Sequence, residues 1–72
     1  MAVISNLGRM MEERGTGTVE LAARVGITPV NLSRIKTGRV RSIRFSTLNA
    51  LCRELECEPG DILGYSPDEK PG

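Results

Sequence analysis

Apolar residues recur along this chain at helical spacing, in short blocks that end at glycine or restart at proline. Leu7, Met10 and Met11 form the first block, and Gly15 follows it. Leu21, Ala22 and Val25 form the second, just before Gly26. Leu32 and Ile35 form the third, opened by Thr28-Pro29 and closed by Gly38. Leu48, Leu51, Cys52 and Leu55 share one face of a fourth. Pro59 opens a short fifth that takes in Ile62 and Leu63. The spacing predicts helices over roughly Asn6 to Arg14, Thr18 to Val25, Pro29 to Thr37 and Thr47 to Leu55, with a short one from Pro59. Gly17 occupies an N-cap slot, with Glu20 three residues on. Thr28 and Ser46 are the stronger caps expected for the third and fourth helices. Ile43 and Phe45 are expected to anchor the loop between those helices to the core. Val3-Ile4 has room for a short extended segment. The expected fold class is all-α, a compact five-helix domain over residues 1–64, followed by a polar tail over 65–72.

The second and third helices form the most informative pair. Thr18 to Gly38 reads TVELAARVGITPVNLSRIKTG. Between Val25 and Ile27 the chain must reverse within about three residues. Gly26 lies where a left-handed residue closes a helix and where a side chain is costly. Pro29 at the first helical position gives up no needed N–H. Ala22 is small enough for the two helices to approach closely. Two short helices crossing steeply, each with one buried face, is the geometry of a DNA-binding helix-turn-helix. The second of them turns Pro29, Val30, Asn31, Ser33, Arg34 and Thr37 outward.

Charge sharpens this picture more than composition does. The formal net charge is only +1, yet Arg34, Lys36, Arg39, Arg41 and Arg44 hold half of the ten basic residues with no acid between them. Such a run is ordinarily a solvated loop. Here it continues directly from the outward-facing helix, and a basic stretch beside such a helix is the footprint of phosphate contact. A chain of 72 residues makes one small domain. Phe45 and Tyr65 are its aromatics, so aliphatic residues must fill the core. No apolar run approaches the ~20 residues of a membrane span, and MAVISN does not read as a secretory signal. With no histidine and no CxxC pair, neither a metal site nor a cofactor is expected. Cys52 on the apolar helix face reads as a small buried hydrophobe, and a cytoplasmic, reduced protein is the expectation. Redox sensing through Cys57 is the alternative role for that thiol. The absence of histidine, clustered inward carboxylates and a phosphate-cradling glycine loop argues against an enzyme.

From about Asn6 to Leu63 the chain resembles the Cro and phage-repressor type of helix-turn-helix regulator, the xenobiotic-response-element family. The resemblance is carried by ELAARVGITPVNLSRIKTG and continues into VRSIRFSTLNALCRELECEPGDIL. It implies a lambda-repressor-like fold and a transcriptional regulator, most simply a repressor, that reads the major groove with the helix over 29–37. In that pose Val30 and Pro29 suit thymine methyl groups, Asn31 suits adenine or a phosphate, and Arg34 suits guanine. Ser33 and Thr37 share the outer face. Thr18, Thr28, Arg39 and Arg41 suit phosphates. Arg44, just before Phe45, matches the arginine that approaches the minor groove in the resembling repressors. Many relatives carry Gln or Ser where this chain has Pro29 and Val30, so their base readout does not transfer.

Double-stranded DNA is thus the expected partner. One short helix reads few base pairs, so a homodimer is expected, with Leu55, Cys57, Pro59, Ile62, Leu63 and Tyr65 as the candidate partner surface. For Leu55 and Ile62 the ordinary role is closing the monomer core. Without a separate effector domain, no small-molecule ligand is expected. The competing reading is an antitoxin or anti-repressor, a protein-interaction module on the same fold. The acidic stretch from Glu54 to Glu69 favours it, and the basic run favours DNA.

Overall fold

Four helices in this chain end the same way, and those endings set the architecture. In each, a residue in the left-handed region follows the last turn, and the next N–H reaches back to the carbonyl five residues earlier. Thr16 bonds Met11, Ile27 bonds Ala22, Arg39 bonds Arg34 and Cys57 bonds Cys52, at 2.8–3.0 Å. These are Schellman-type closures. The left-handed positions are Gly15, Gly26, Gly38 and, without glycine, Glu56 at φ 52°.

The structure is a computed structural model and describes residues 2–67. In chain order the elements are β1 (Ala2–Ser5), α1 (Leu7–Arg14), α2 (Thr18–Val25), α3 (Pro29–Lys36), α4 (Phe45–Leu55), α5 (Pro59–Ile62) and β2 (Leu63–Ser66). The helices enclose one apolar centre. Leu7, Met10 and Met11 of α1 meet Leu21 and Ala22 of α2, Leu32 and Ile35 of α3, Leu51 and Leu55 of α4, and Ile62 of α5. Val25, Ile27, Ile43, Leu48, Cys52, Cys57 and Leu63 pack around that centre, partly buried. α2 packs against both α3 and α4, which holds the helix pair rigidly on the rest of the fold.

The strictly all-α expectation is corrected. β1 and β2 pair antiparallel, with Val3 opposite Tyr65 and Ser5 opposite Leu63. The cause is local. Asn6 N–H donates to Ile62 O at 2.6 Å where the chain enters α1 and leaves α5. That bond places two extended segments side by side, and their backbone groups satisfy one another. Leu63 therefore opens a strand and does not end α5. The part of the expected polar tail that covers residues 68–72 lies outside the described residues.

The start of α4 is also corrected. The helix begins at Phe45, with Arg44 in extended conformation as its N-cap and Leu48 N–H bonded to Arg44 O at 2.9 Å. Ser46 falls inside the first turn and caps nothing. Ile43 anchors the preceding loop to the core, but Phe45 points outward and is 87% exposed. As the first residue of α4, it tilts its side chain back past the start of the helix, beyond the apolar centre. Leu55 and Ile62 are buried in the core, which leaves them no part in a partner surface.

Candidate nucleic-acid interface

α3 starts with a strong cap. Thr28 is extended at φ −77°, and its Oγ1 accepts from Asn31 N–H at 3.1 Å. Pro29 holds the first helical position. Leu32 and Ile35 point inward, and Val30, Asn31, Ser33 and Arg34 are exposed. Val30 is thus a solvated apolar side chain near the N-terminal end of a helix, where no packing inside this chain explains it. Gly26, at φ 89°, lets α3 leave α2 within a few residues.

The closure of α3 decides where the basic run goes. Gly38 sits at φ 75°, its N–H bonds Ile35 O at 3.1 Å, and Arg39 N–H bonds Arg34 O at 2.8 Å. The chain folds back beside the helix, so residues distant along the run come together. Asn31, Arg34, Arg39, Arg41 and Arg44 line a single open cleft of about 700 Å³ between α3, the following loop and the start of α4. Ile27, Ile35 and Ile43 are among its lining residues, together with Ser42 and Thr47.

The remaining predicted residues lie elsewhere. Pro29, Val30 and Ser33 occupy the outer surface of α3 and do not line the cleft. Thr37 caps the end of α3. Its hydroxyl donates to Ser33 O at 3.0 Å, so its donor is already engaged and only its acceptor side faces outward. Thr18 lines a separate cleft of about 460 Å³, shared with Gly8 and Lys36. Lys36 belongs to the basic run but not to the residues singled out from the sequence. Its stem crosses α1 at Gly8, where an added Cβ would sit 3.3 Å from its Cγ and Cε. No sequence signal marks that crossing, because it depends on how α1 and α3 meet.

The electrostatics separate the basic run from every other described cation. Arg9 pairs with Glu13, Arg24 with Glu20 and Glu54, and Arg53 with Glu54. Arg14 donates to Leu55 O at 2.8 Å and to Glu56 O. Among the described residues, no ion pair involves Arg34, Lys36, Arg39, Arg41 or Arg44. Exposed pairs elsewhere contribute little stability, roughly 0–1 kcal/mol each. Their effect here is on the field: acids neutralise Arg9, Arg24 and Arg53, and the basic run is left unpaired.

Cys57 is a different kind of group. Burial, then the neighbouring Cys52 and Asp61, pushes its thiol above the ordinary value, so it is a poor thiolate. Among the described residues, no helix is long and apolar enough to cross a membrane.

Comparison with known proteins agrees with this geometry. Residues 6–68 match the family model of the Cro/C1-type HTH DNA-binding domain. The chain is also similar to YozG of Bacillus subtilis (strain 168), described as an uncharacterized HTH-type transcriptional regulator. The two are 51% identical over 72 residues, which is 100% of this chain and 86% of that protein. The chain belongs to the Cro/C1-type helix-turn-helix DNA-binding family.

Proposed function

We propose that this Cro/C1-type regulator is a sequence-specific repressor that binds duplex DNA as a cytoplasmic homodimer and acts by occupying its operator. The observation that carries the reading is the unneutralised basic cleft beside an α3 whose outer side chains are exposed. α3 enters the major groove with Val30 and Pro29 against thymine methyls and Arg34 on a guanine edge. Asn31 lies beside Arg34 in the cleft and takes an adenine or a phosphate. Arg39 and Arg41 hold phosphates, and Lys36 with Thr18 holds another from the separate cleft at Gly8. Arg44 follows the minor groove. Thr28 keeps a hydroxyl hydrogen for phosphate, since its oxygen caps α3 by accepting.

Selection of bound sites from random duplex DNA, followed by affinity measurements over a salt series, tests the reading. The expected product is a two-fold symmetric site. With three phosphates held by basic side chains in each protomer, log K falls with log salt by a slope of about −5 for the dimer. Failure to retard any duplex at low salt overturns DNA binding and favours the protein-interaction module.

A further inference from the structure

The large apolar side chains exposed among the described residues are Val3, Ile4, Val19, Val30, Val40, Phe45 and Tyr65. Val30 and Phe45 lie on the two helices that wall the basic cleft, and Val19 lies on α2. The other four gather at the β-ribbon. Val3, Ile4 and Val40 line one apolar cleft of about 170 Å³, and Tyr65 is the cross-strand partner of Val3. Val3 is 68% exposed and Tyr65 57%.

The ribbon also has an edge that carries neither charge nor proline. Strand edges of soluble proteins normally carry charge or proline, and a lone two-stranded ribbon is marginal in water. β1 reads Ala-Val-Ile-Ser and has neither protection. β2 contains Gly64 and runs into Pro67, so it is the poorer edge for pairing. The bond from Asn6 N–H to Ile62 O fixes the alternation along the ribbon. In the observed register Ile4 with Gly64 and Ala2 with Ser66 are then the hydrogen-bonded positions. Val3 and Ser5 turn their N–H and C=O groups to the outer edge of β1.

We propose that two copies of this chain associate through β1, antiparallel across a two-fold axis at Ile4. The inference rests on the homodimer proposed above and names its surface. Val3 of one copy then exchanges backbone hydrogen bonds with Ser5 of the second copy, and Ile4 meets its own mate on the axis. The two ribbons of two strands each become one sheet in the order β2, β1, β1, β2. A second copy fits better than another occupant for two reasons. A two-fold interface must be self-complementary, which an antiparallel strand edge is. Neither β1 nor β2 contains a charged residue, so the pairing buries no charge. Val40, Arg41, Ser42 and Ile43 line both the apolar cleft and the basic cleft. The proposed contact thus lies across that loop from the basic cleft. A pairing of two four-residue strands is a small interface, so association of the free protein is weak and tightens on a duplex with two half-sites.

Sedimentation equilibrium of the full chain, alone and on the selected duplex, tests this together with amide exchange at low and high protein concentration. The expected result is reversible dimerisation, with exchange at Val3 and Ser5 slowing as concentration rises. Val3→Lys should weaken self-association at least about tenfold, a loss of 1.4 kcal/mol or more. Val19→Lys, equally exposed on α2, should leave it unchanged. A parent that is monomeric both free and on the duplex overturns the proposal. So does a parent that dimerises with exchange at Val3 and Ser5 independent of concentration, a result that keeps its meaning if Val3→Lys misfolds. Loss of DNA binding with ribbon-dependent dimerisation intact would instead remove the functional reading and leave this interface standing.

Discussion

Gly17 and Gly26 flank α2 and form a matched pair for one decisive test. An added Cβ meets nothing within 4 Å at either position. Steric crowding is thus absent from the comparison, and the backbone decides. Gly26 holds φ 89°, while Gly17 holds φ −83° in extended conformation. Placing a Cβ in the left-handed region costs about 1–2 kcal/mol, so Gly26→Ala should lose that much. Gly26→Val adds β-branching and should lose about 2–3 kcal/mol. Gly26→Asn should lose least, because asparagine tolerates this region. Glu56 at φ 52° shows that the fold absorbs one such cost, so these variants should still fold in the cold. Gly17→Ser should be neutral or gain up to about 1 kcal/mol, since it supplies a hydroxyl to an N-cap that lacks a side-chain bond and stiffens the unfolded chain. In a domain of this size 1 kcal/mol moves the melting temperature by about 4–8 °C. Gly26→Val should therefore melt roughly 10–20 °C below the parent, read by circular dichroism. DNA affinity should fall in step with the folded fraction, although no contact residue has changed. A Gly26→Val protein that melts within about 2 °C of the parent would refute the argument, as would equal losses at Gly17 and Gly26.

Arg34→Ala should cost about 1–3 kcal/mol on the selected site and relax preference at one base pair; a uniform loss on all sequences would make Arg34 a phosphate ligand instead. Arg39→Ala should weaken all sequences nearly alike and reduce the salt slope by about one per lost contact, measured over the same salt series. Arg14→Ala should lower stability by about 1–2 kcal/mol in a denaturant titration, because its guanidinium bonds Leu55 O and Glu56 O at the end of α4. Alkylation of Cys57 should require a higher pH than that of a free cysteine, and the unfolded thiol should ionise first. Stability contributed by that protonated thiol is complete below the unfolded value and is lost as pH rises through the folded one. An alkylation profile with its midpoint at or below that of a free cysteine contradicts the burial argument.

The helices were legible because each carries its own punctuation. Gly26, Thr28-Pro29 and Gly38 state where one helix ends and the next begins, and the apolar spacing states which face is inward. That local grammar also located the outer face of α3. It failed where the determinant is non-local. Each strand of the ribbon is only four residues long, and its pairing depends on the ends of α1 and α5 meeting in space. Ser46 looked like a cap because serine is a good one. Helix α4 begins earlier because Arg44 is extended and Ile43 is already fixed to the core. Phe45 looked like an anchor because it is large and apolar, but its place in the first turn directs it outward. Arg14 joins α1 to α4 across forty-one positions of sequence, which no pattern in either helix announces. The clefts show the same limit. The basic run is visible as a string, but its arrangement around one concavity depends on the turn at Gly38. Lys36 leaves that group for the cleft of Thr18 because of how α1 and α3 meet.

A net charge of +1 says little about such a molecule, because charge is distributed by partner and not by count. Arg9, Arg24 and Arg53 face carboxylates, and Arg14 faces backbone carbonyls. Among the described residues the cations left over are Arg34, Arg39, Arg41 and Arg44 around the basic cleft, and Lys36 in the cleft of Thr18. This division separates affinity from specificity in physical terms. Unpaired cations attract any duplex, and that attraction weakens with salt. The first turn of α3 has Pro29 and Val30, which offer no hydrogen bond from their side chains. Under the proposed reading, discrimination at these two positions rests on shape and methyl contact, is weak for each base pair, and leaves Arg34 and Asn31 to supply the directional contacts. A reader of this kind gains selectivity mainly by being used twice. The same chain whose α3 opens with two side chains that form no hydrogen bond carries an uncharged strand edge, the surface proposed above for a second copy.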